Sequence, residues 1–534
     1  MSLNERPLQG QKPHHHHSLG RVARTSVMWA YLRTGLIALI GIPTAIVLAR
    51  LLSPADFGIA AAATFFGQLA GRLSSGGMGS ALVRIKDLRE DHISSIFVIN
   101  VGLTALCAVS LVAGAPYIGR FYGTAEVGWV MPMVAINYAL GGLSMVQQAL
   151  LTRDLRYREL ATIGSADMAV SAVTAVVFAA FGFRYWSLVI GEVCGAFVKW
   201  IWGAHLTGWH VRLKFVPEAA RELSSFALGS FSRRTVEHFT QNAGHLVVGR
   251  FLGTTSLGFY DKAFALANNL YQRMTTVGSS VSFRIFAIIQ DEPERFSRAY
   301  RKVIMTVTLL GYVAFGAIGT MAPHLIVVAF GETWRFSVVP LQILCASFAL
   351  KLLNQYAIAA SQARGWVWPH VWRQIVQVAC IVVGVYLATP WGIDGAAVAV
   401  LGATVVMFFL TQTMMRAATG LGWADVLEPQ VPAIATSALL VAMLWGADAL
   451  LSPVVGPPVI LAVQMCAAAV FALAFAWWCP FREPRMLMHE TVSDLSPRLA
   501  QWIWKDIPAA RTARPKPADI GTALSPSADT QAVP

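Results

Sequence analysis

Charge is scarce in this chain. Asp, Glu, Lys and Arg make up 13% of its 534 residues, hydrophobic residues make up 56%, and mean hydropathy is +0.57. So little charge cannot cover a water-soluble protein of this length, which excludes the soluble classes and implies a polytopic membrane protein. Acids are scarcer than bases, 28 against 41, for a formal net charge of +13. In a soluble protein that balance would suggest nucleic acid. Here the bases are dispersed in short gaps between apolar runs, so no nucleic-acid partner is expected. Cysteine is sparse as well. Cys107, Cys194, Cys345, Cys380, Cys466 and Cys479 sit in or beside apolar runs without metal-ligand spacing, so neither a disulfide framework nor a metal centre is expected. A nucleotide-binding loop of the GxxxxGK[ST] type is missing too, so neither ATP hydrolysis nor a bound cofactor is expected.

What the chain does have is long apolar runs. Segments able to cross about 30 Å of hydrocarbon fall near 24–50, 55–75, 93–115, 126–152, 160–182 and 184–205. A second set falls near 222–252, 255–285, 299–322, 338–362, 367–388 and 393–418, and two more lie near 429–450 and 455–479. The plan is all-α, with about fourteen transmembrane helices as six plus six plus two. It divides the chain into an N-terminal tail (1–23), an N-lobe (24–205), a basic inter-lobe loop (206–221), a C-lobe (222–418), helices 13 and 14 (419–479) and a C-terminal tail (480–534).

Lys and Arg concentrate in alternate gaps. Arg84, Lys86 and Arg89 follow helix 2; Arg153, Arg156 and Arg158 follow helix 4; Arg212, Lys214 and Arg221 follow helix 6; Arg295, Arg298, Arg301 and Lys302 follow helix 8. Intervening gaps hold isolated cations such as Arg120, Arg184 and Arg335. The bias predicts that both termini and these basic gaps face the cytoplasm. His14 to His17 read as a solvated tail or tag remnant rather than a metal site. Near the other end, Leu495, Leu499, Trp502 and Ile503 are spaced for one face of an interfacial helix, and beyond about Ala509 the composition predicts disorder.

One pattern is stated twice. VLARLLSPADFGIAAAATFFGQLAGRLSSGG, from Val47 to Gly77, is matched by VVGRFLGTTSLGFYDKAFALANNLYQRMTTVG, from Val247 to Gly278. Arg33, Arg50, Gly58 and Arg84 precede Arg233, Arg250, Gly258 and Arg284 by 200 positions, and Arg72 precedes Arg273 by 201. A duplicated multi-helix unit is implied. In apolar chains such repeats mark transporters whose substrate site lies between the halves.

Polar residues inside the spans follow helical faces. In helix 7, Ser230, Arg234, Glu237, His238, Gln241 and His245 recur at three-to-four-residue spacing. Helix 8 carries Asn269, Gln272, Arg273, Thr276 and Ser280, helix 2 carries Thr64, Gln68, Arg72 and Ser75, and helix 1 carries Arg33 and Thr34. An uncompensated Arg at the bilayer centre costs at least about 2.5–3.5 kcal/mol on insertion scales. Faces this polar are expected to line a shared, water-filled, cationic cavity. Arg33, Arg72, Arg234, Arg273, His238, Gln241 and Asn269 are its candidates for holding an anionic substrate. A structural reading competes: Arg33, Arg72, Arg233, Arg250 and Arg284 lie near enough to span ends to snorkel, and Arg233 with Glu237 fits an i,i+4 salt bridge. Asp167, Glu192 and Glu237 are candidates for a coupling proton or cation, although an isolated acid more often pairs with a neighbour, as Glu192 would with Lys199.

The repeated stretch also contains a junction. Ser53 suits the cap of helix 2, Pro54 its first turn, and Asp56 completes a capping box. Gly58 and Gly258 permit close helix approach. With Arg50 and Arg250 these form the expected structural junction, although the second copy reads GTTSLG, without the Pro and Asp.

The string ARLLSPADFGIAA after a first helix bearing Arg33, with its degenerate copy and the six-plus-six-plus-two plan, resembles the Wzx-type polysaccharide flippases. These belong to the multidrug/oligosaccharidyl-lipid/polysaccharide (MOP) exporter superfamily, which includes the MATE drug exporters and the lipid II flippase MurJ. The resemblance covers roughly 24 to 480. It implies a MATE- and MurJ-like fold in the bacterial inner membrane. It also implies translocation of undecaprenyl-diphosphate-linked oligosaccharide repeat units from the cytoplasmic to the periplasmic leaflet, for exopolysaccharide, capsule or O-antigen synthesis. By helix and depth, Arg33, Arg72 and Arg273 are counterparts of the family's cavity arginines. Implied partners are membrane lipids, a polysaccharide polymerase and chain-length or export components.

Two other classes compete. A drug or small-cation exporter of the same fold would want acids in its cavity, where here arginines outnumber Glu237 and Asp261. A membrane-embedded glycosyltransferase or polymerase would carry a large external catalytic domain, where here the external loops are short. The expected class is a transporter, not an enzyme.

Overall fold

The computed structural model describes residues 19–75, 78–85, 88–208, 214–276, 278–428 and 430–478. Within these, side chains at 19–34, 80, 84, 218–234, 276, 280, 367–368, 418 and 476–478 are not described. His14 to His17, the stretch from Leu495 to Ile503 and the whole tail 480–534 therefore lie outside the described residues, as do the side chains of Arg33, Arg84, Arg233 and Arg234.

Among the described residues every regular element is a helix. The first half runs α1 (Leu19–Leu51), α2 (Pro54–Ser75), α3 (Met78–Arg84), α4 (Glu90–Tyr122), α5 (Ala125–Leu143), α6 (Met145–Arg153), α7 (Tyr157–Ala180) and α8 (Tyr185–Thr207). There follow α9 (Pro217–Thr276), α10 (Gly278–Ile288), α11 (Pro293–Phe330), α12 (Val338–Ala363), α13 (Val367–Leu387), α14 (Gly392–Thr419), α15 (Trp423–Leu427), α16 (Gln430–Leu451) and α17 (Pro457–Trp478). Within α9, Gly253 has φ 83° and ψ 171°. That region is essentially closed to side chains. The glycine therefore joins helices 7 and 8 of the sequence plan at a sharp turn without an intervening loop.

Ten helices among the described residues are long and apolar enough to cross a membrane, and the protein is a multi-pass membrane protein. α1, α2 and the two segments of α9, the helices that carry the polar stripes, are not among the ten. Along α2, Asp56, Gln68 and Arg72 lower the hydropathy of any window drawn along it. For α1, the described apolar part is the shorter Gly35–Leu51.

The described residues up to Ala468 form a first compact unit, and the described residues from Ala469 on are the end of α17. In the first unit α4 packs on α5, α7 on α8, α1 on α7 and α2 on α5. After α9, α11 packs on α12 and α16, and α14 on α12 and α13. The two sets meet chiefly where α2 lies along α9.

The basic gaps gather by local contacts. The Arg153 guanidinium donates to the carbonyls of Leu82 (3.0 Å) and Ile85, and Arg156 donates to the carbonyl of Leu206 at 3.0 Å. Lys214 pairs with Asp91 at 2.7 Å, and Arg301 pairs with Asp425 at 3.6 Å and with Glu428. Exposed pairs of this kind contribute only about 0–1 kcal/mol each. Their information is topological, because they join the gaps after helices 2, 4 and 6 at a common end.

Candidate functional site

The two copies of the repeated stretch meet each other. A Cβ on Gly58 would fall 1.7 Å from the Thr254 carbonyl oxygen and 3.0 Å from the Gly258 nitrogen. A Cβ on Gly258 would fall 1.8 Å from the Pro54 carbonyl oxygen and 3.2 Å from the Gly58 nitrogen. The first turn of α2 and the first turn of α9 beyond Gly253 thus cross backbone to backbone. Only a hydrogen fits at either position.

Asp56, 3% exposed, organises the α2 side of this crossing. Its Oδ2 accepts from Ser53 Oγ at 2.6 Å and from the Ser53 N–H at 3.0 Å, while the Asp56 N–H donates to Ser53 Oγ at 3.3 Å. These reciprocal bonds satisfy donors at the helix start that would otherwise be unpaired. Oδ1 faces Arg184 Nε at 3.1 Å. Asp56→Ala is expected to cost about 1–2 kcal/mol through the lost cap. Arg184→Ala should cost less, since the Arg184 side chain is 58% exposed. Thermal unfolding in detergent, followed by tryptophan fluorescence, checks that order.

Further bonds tie the halves together beside the crossing. Arg50, in the last turn of α1, donates to the carbonyls of Val328 (2.6 Å) and Ala329 (3.2 Å) at the end of α11, where a cation suits the helix dipole. Trp334 is fully buried and its indole N–H donates to the Ala49 carbonyl at 2.8 Å. Arg250 lies over the rings of Phe121 and Phe251, at 5.5 and 5.8 Å.

Further along α2, toward its last turn, a cleft of about 710 Å³ opens, and Gln68, Arg72, Ser75, Tyr138, Gln148 and Thr152 are among its lining residues. The first three come from α2 at three-to-four-residue spacing, hence from one face. Gly67 and Gly71 bring Tyr138 onto that helix: a Cβ at either would fall 2.2 or 2.6 Å from the tyrosine ring. Among the described residues Arg72 has no carboxylate at ion-pair distance. A cation left without an acid beside polar, uncharged groups is an arrangement that receives an anion.

The other candidates divide. His238 is 0% exposed, with its ring 5.0 Å from that of Phe65, and the Asn242 amide donates to its carbonyl at 2.9 Å. The Gln241 amide donates to Glu237 Oε1 at 3.4 Å. Asn269 and Arg273 are exposed on α9 and do not line the Arg72 cleft. Lys199 pairs with Asp167 at 3.7 Å, while Glu192 accepts from the Asn137 amide at 3.1 Å. The expected pairing of Glu192 with Lys199 is therefore replaced. Seven residues span about 10 Å along one helix, so Lys199 reaches across from α8 to α7 instead. Asp167, Lys199 and Gln148 also border a second cleft of about 180 Å³. No group of three or more His, Cys, Asp or Glu among the described residues could hold a metal ion.

Sequence reasoning missed Tyr138, Lys262 and Lys351. Lys351 Nζ lies 4.8 Å from the Phe348 ring and 5.1 Å from that of Tyr271. The available signal was a charge inside an apolar run, isolated at Lys351 and beside Asp261 at Lys262.

Known proteins resemble the chain along this framework. The succinoglycan biosynthesis transport protein ExoT of Rhizobium meliloti is 26% identical over 302 residues, 56% of this chain and 61% of that protein. The lipopolysaccharide biosynthesis protein WzxC of Escherichia coli is 22% identical over 351 residues, 65% of this chain and 67% of that protein. The chain thus spans 61% and 67% of the length of these two relatives. Among solved structures, the lipid II flippase MurJ in an inward closed conformation matches with a TM-score of 0.65 at 10% identity, over 85% of this chain and 98% of that one. An inward-facing multidrug resistance MATE family transporter of the MOP superfamily matches with a TM-score of 0.55 at 15% identity, over 72% and 96% of the two chains. Both likenesses concern the fold, and they agree with the all-α, MATE- and MurJ-like expectation. The family described as Polysaccharide biosynthesis protein matches residues 47–339, more than half of the sequence and inclusive of the crossing and the Arg72 cleft, and the chain belongs to it.

Proposed function

We propose that this protein is a flippase that carries undecaprenyl-diphosphate-linked oligosaccharide repeat units across the bacterial inner membrane, from the cytoplasmic to the periplasmic leaflet. The observation that carries the reading is Arg72, a cation without a carboxylate in a cleft bordered by polar side chains of α2, in a chain of the polysaccharide biosynthesis family. A diphosphate leaves water only where cations and donors replace its hydration. The glycan needs a hydrated passage, and the lipid tail can stay in the bilayer between two lobes, 24–205 and 222–418. The relatives ExoT and WzxC are named for succinoglycan transport and lipopolysaccharide synthesis, which supports a cargo among polysaccharide precursors.

With the basic gaps in the cytoplasm, the Gly58–Gly258 crossing closes the periplasmic end and the Arg72 cleft opens toward the cytoplasm. Both termini are then cytoplasmic. Asp167, Glu192 and Glu237 are the acids for a coupling proton or cation. No covalent chemistry is required of the chain, and its partners are the lipid-linked substrate, membrane lipids and downstream polymerase and export components.

Complementation of a strain lacking its own flippase tests the assignment. Expression of the intact chain should restore surface polysaccharide. Failure across several sugar types, with resistance to cationic drugs gained instead, would put the MATE-like exporter in its place.

A further inference from the structure

We propose that Lys262 couples an anionic cargo to opening of the junction: an ammonium caged by rings from both halves while they are crossed becomes a partner for the cargo's diphosphate when they part. The proposal rests on the flippase reading, in which the cargo is a lipid diphosphate. Lys262 lies on α9 beyond Gly253 and is 7% exposed. Its Nζ sits 3.6 Å from the centroid of the Phe57 ring, 5.3 Å from Phe330 and 5.5 Å from Trp334. Phe57 belongs to α2, whereas Phe330 and Trp334 belong to the second half. Phe57 and Trp334 themselves meet edge to face, with centroids 5.3 Å apart.

An ammonium has three donors. Ring faces attract its charge but leave those donors without oxygen acceptors. The adjacent acid, Asp261, is turned away to His245 at 3.3 Å. Among the described residues no carboxylate lies at ion-pair distance from Lys262. In the first copy the equivalent position is Ala62, 1% exposed, so the helix crossing itself does not call for a lysine. The charge is present in one copy only.

The nearest ring of the cage comes from the opposite half, so separating the halves strips Phe57 from the ammonium. An anion must then take its place, or water. A cargo with two phosphates favours the parted state by pairing with Lys262 there; a neutral or cationic cargo has no such differential affinity and shifts nothing. The division of labour follows. Arg72 is open to the cleft while the junction is closed and captures the anion, whereas Lys262 is reached only as the junction opens.

The test uses the full chain in lipid nanodiscs, its six native cysteines replaced, with spin labels at Leu51→Cys and Phe336→Cys. Both positions are exposed, 48% and 72%, on opposite halves beside the crossing. Farnesyl diphosphate is the probe and farnesol the control. The diphosphate should shift the inter-label distance outward by ~5 Å or more, the scale of a one-turn displacement, and farnesol should not. Lys262→Met keeps length and ring contact without charge; it should show the unliganded distance of the parent and lose the outward shift, and Lys262→Arg should keep it. Equal shifts in Lys262→Met and the parent would overturn the coupling role while leaving the flippase assignment standing. So would a parent that restores surface polysaccharide yet does not respond to the probe. A parent that neither responds nor restores polysaccharide would remove the flippase reading and this inference together.

Discussion

Gly58→Ala is expected to abolish transport while the chain still folds and reaches the membrane. The added methyl would lie 1.7 Å from the Thr254 carbonyl oxygen and 2.6 Å from its carbon. These are backbone atoms, so no side-chain rotation relieves the clash. Restoring ordinary contact near 3.5 Å requires the two helices to move apart by about 2 Å. The same movement stretches the bond from Trp334 to the Ala49 carbonyl and those from Arg50 to Val328 and Ala329, which lie beside the crossing. Overpacking of this kind costs about 1–3 kcal/mol, and each lost hydrogen bond adds about 0.5–1.5 kcal/mol. That suffices to favour a parted junction without unfolding a chain of this size. Because the contact is reciprocal, Gly258→Ala should behave alike, its Cβ falling 1.8 Å from the Pro54 carbonyl oxygen. Gly102→Ala, with nothing within 4 Å of its Cβ, should transport normally. Surface polysaccharide at matched membrane abundance, with the Leu51–Phe336 label distance, checks all three. Wild-type transport by Gly58→Ala would show that the crossing is not a moving part.

The fold is largely legible in the sequence because its strongest determinants are local or repetitive. Apolar runs, the SPADFG cap and the internal repeat all lie within short windows, and helix periodicity alone puts Gln68, Arg72 and Ser75 on one face. What sequence does not supply are contacts between residues more than two hundred positions apart. Nothing in the apolar run around Phe57 says that Lys262 will sit over its ring, and nothing near Ala49 announces Trp334. A related limit explains Lys199. Spacing offers Glu192 on its own helix, but a long side chain on a packed helix finds its partner across the interface, at Asp167. The stripes themselves are visible, yet a stripe does not say which of its members reach the cleft. Arg72 does, Asn269 and Arg273 do not, and His238 is packed against Phe65.

Arg72→Glu is expected to remove surface polysaccharide from the complemented strain, Arg72→Gln to reduce it strongly, and Arg72→Lys to retain part of it. The guanidinium offers a planar pair of donors to one phosphate, which an ammonium meets only as a point charge. A hydrogen bond to a charged group is worth about 1.5–3 kcal/mol, so neutralisation should weaken capture by about 10- to 100-fold. Reversal adds repulsion and leaves a carboxylate beside Tyr138 and Gln148 with no cation to meet it. Arg335, whose side chain is 77% exposed and 3.5 Å from Glu332, is the matched control, and Arg335→Ala should transport normally. A snorkelling arginine would behave differently. Its loss would lower membrane abundance or thermal stability, and transport per molecule would stay constant, because Gln at that depth still reaches water. Transport normalised to abundance separates the two. If Arg72→Gln carries cargo at the parental rate per molecule, Arg72 anchors α2, and first capture of the diphosphate falls to other cations, with Arg33, Arg234 and Arg273 the remaining arginine candidates.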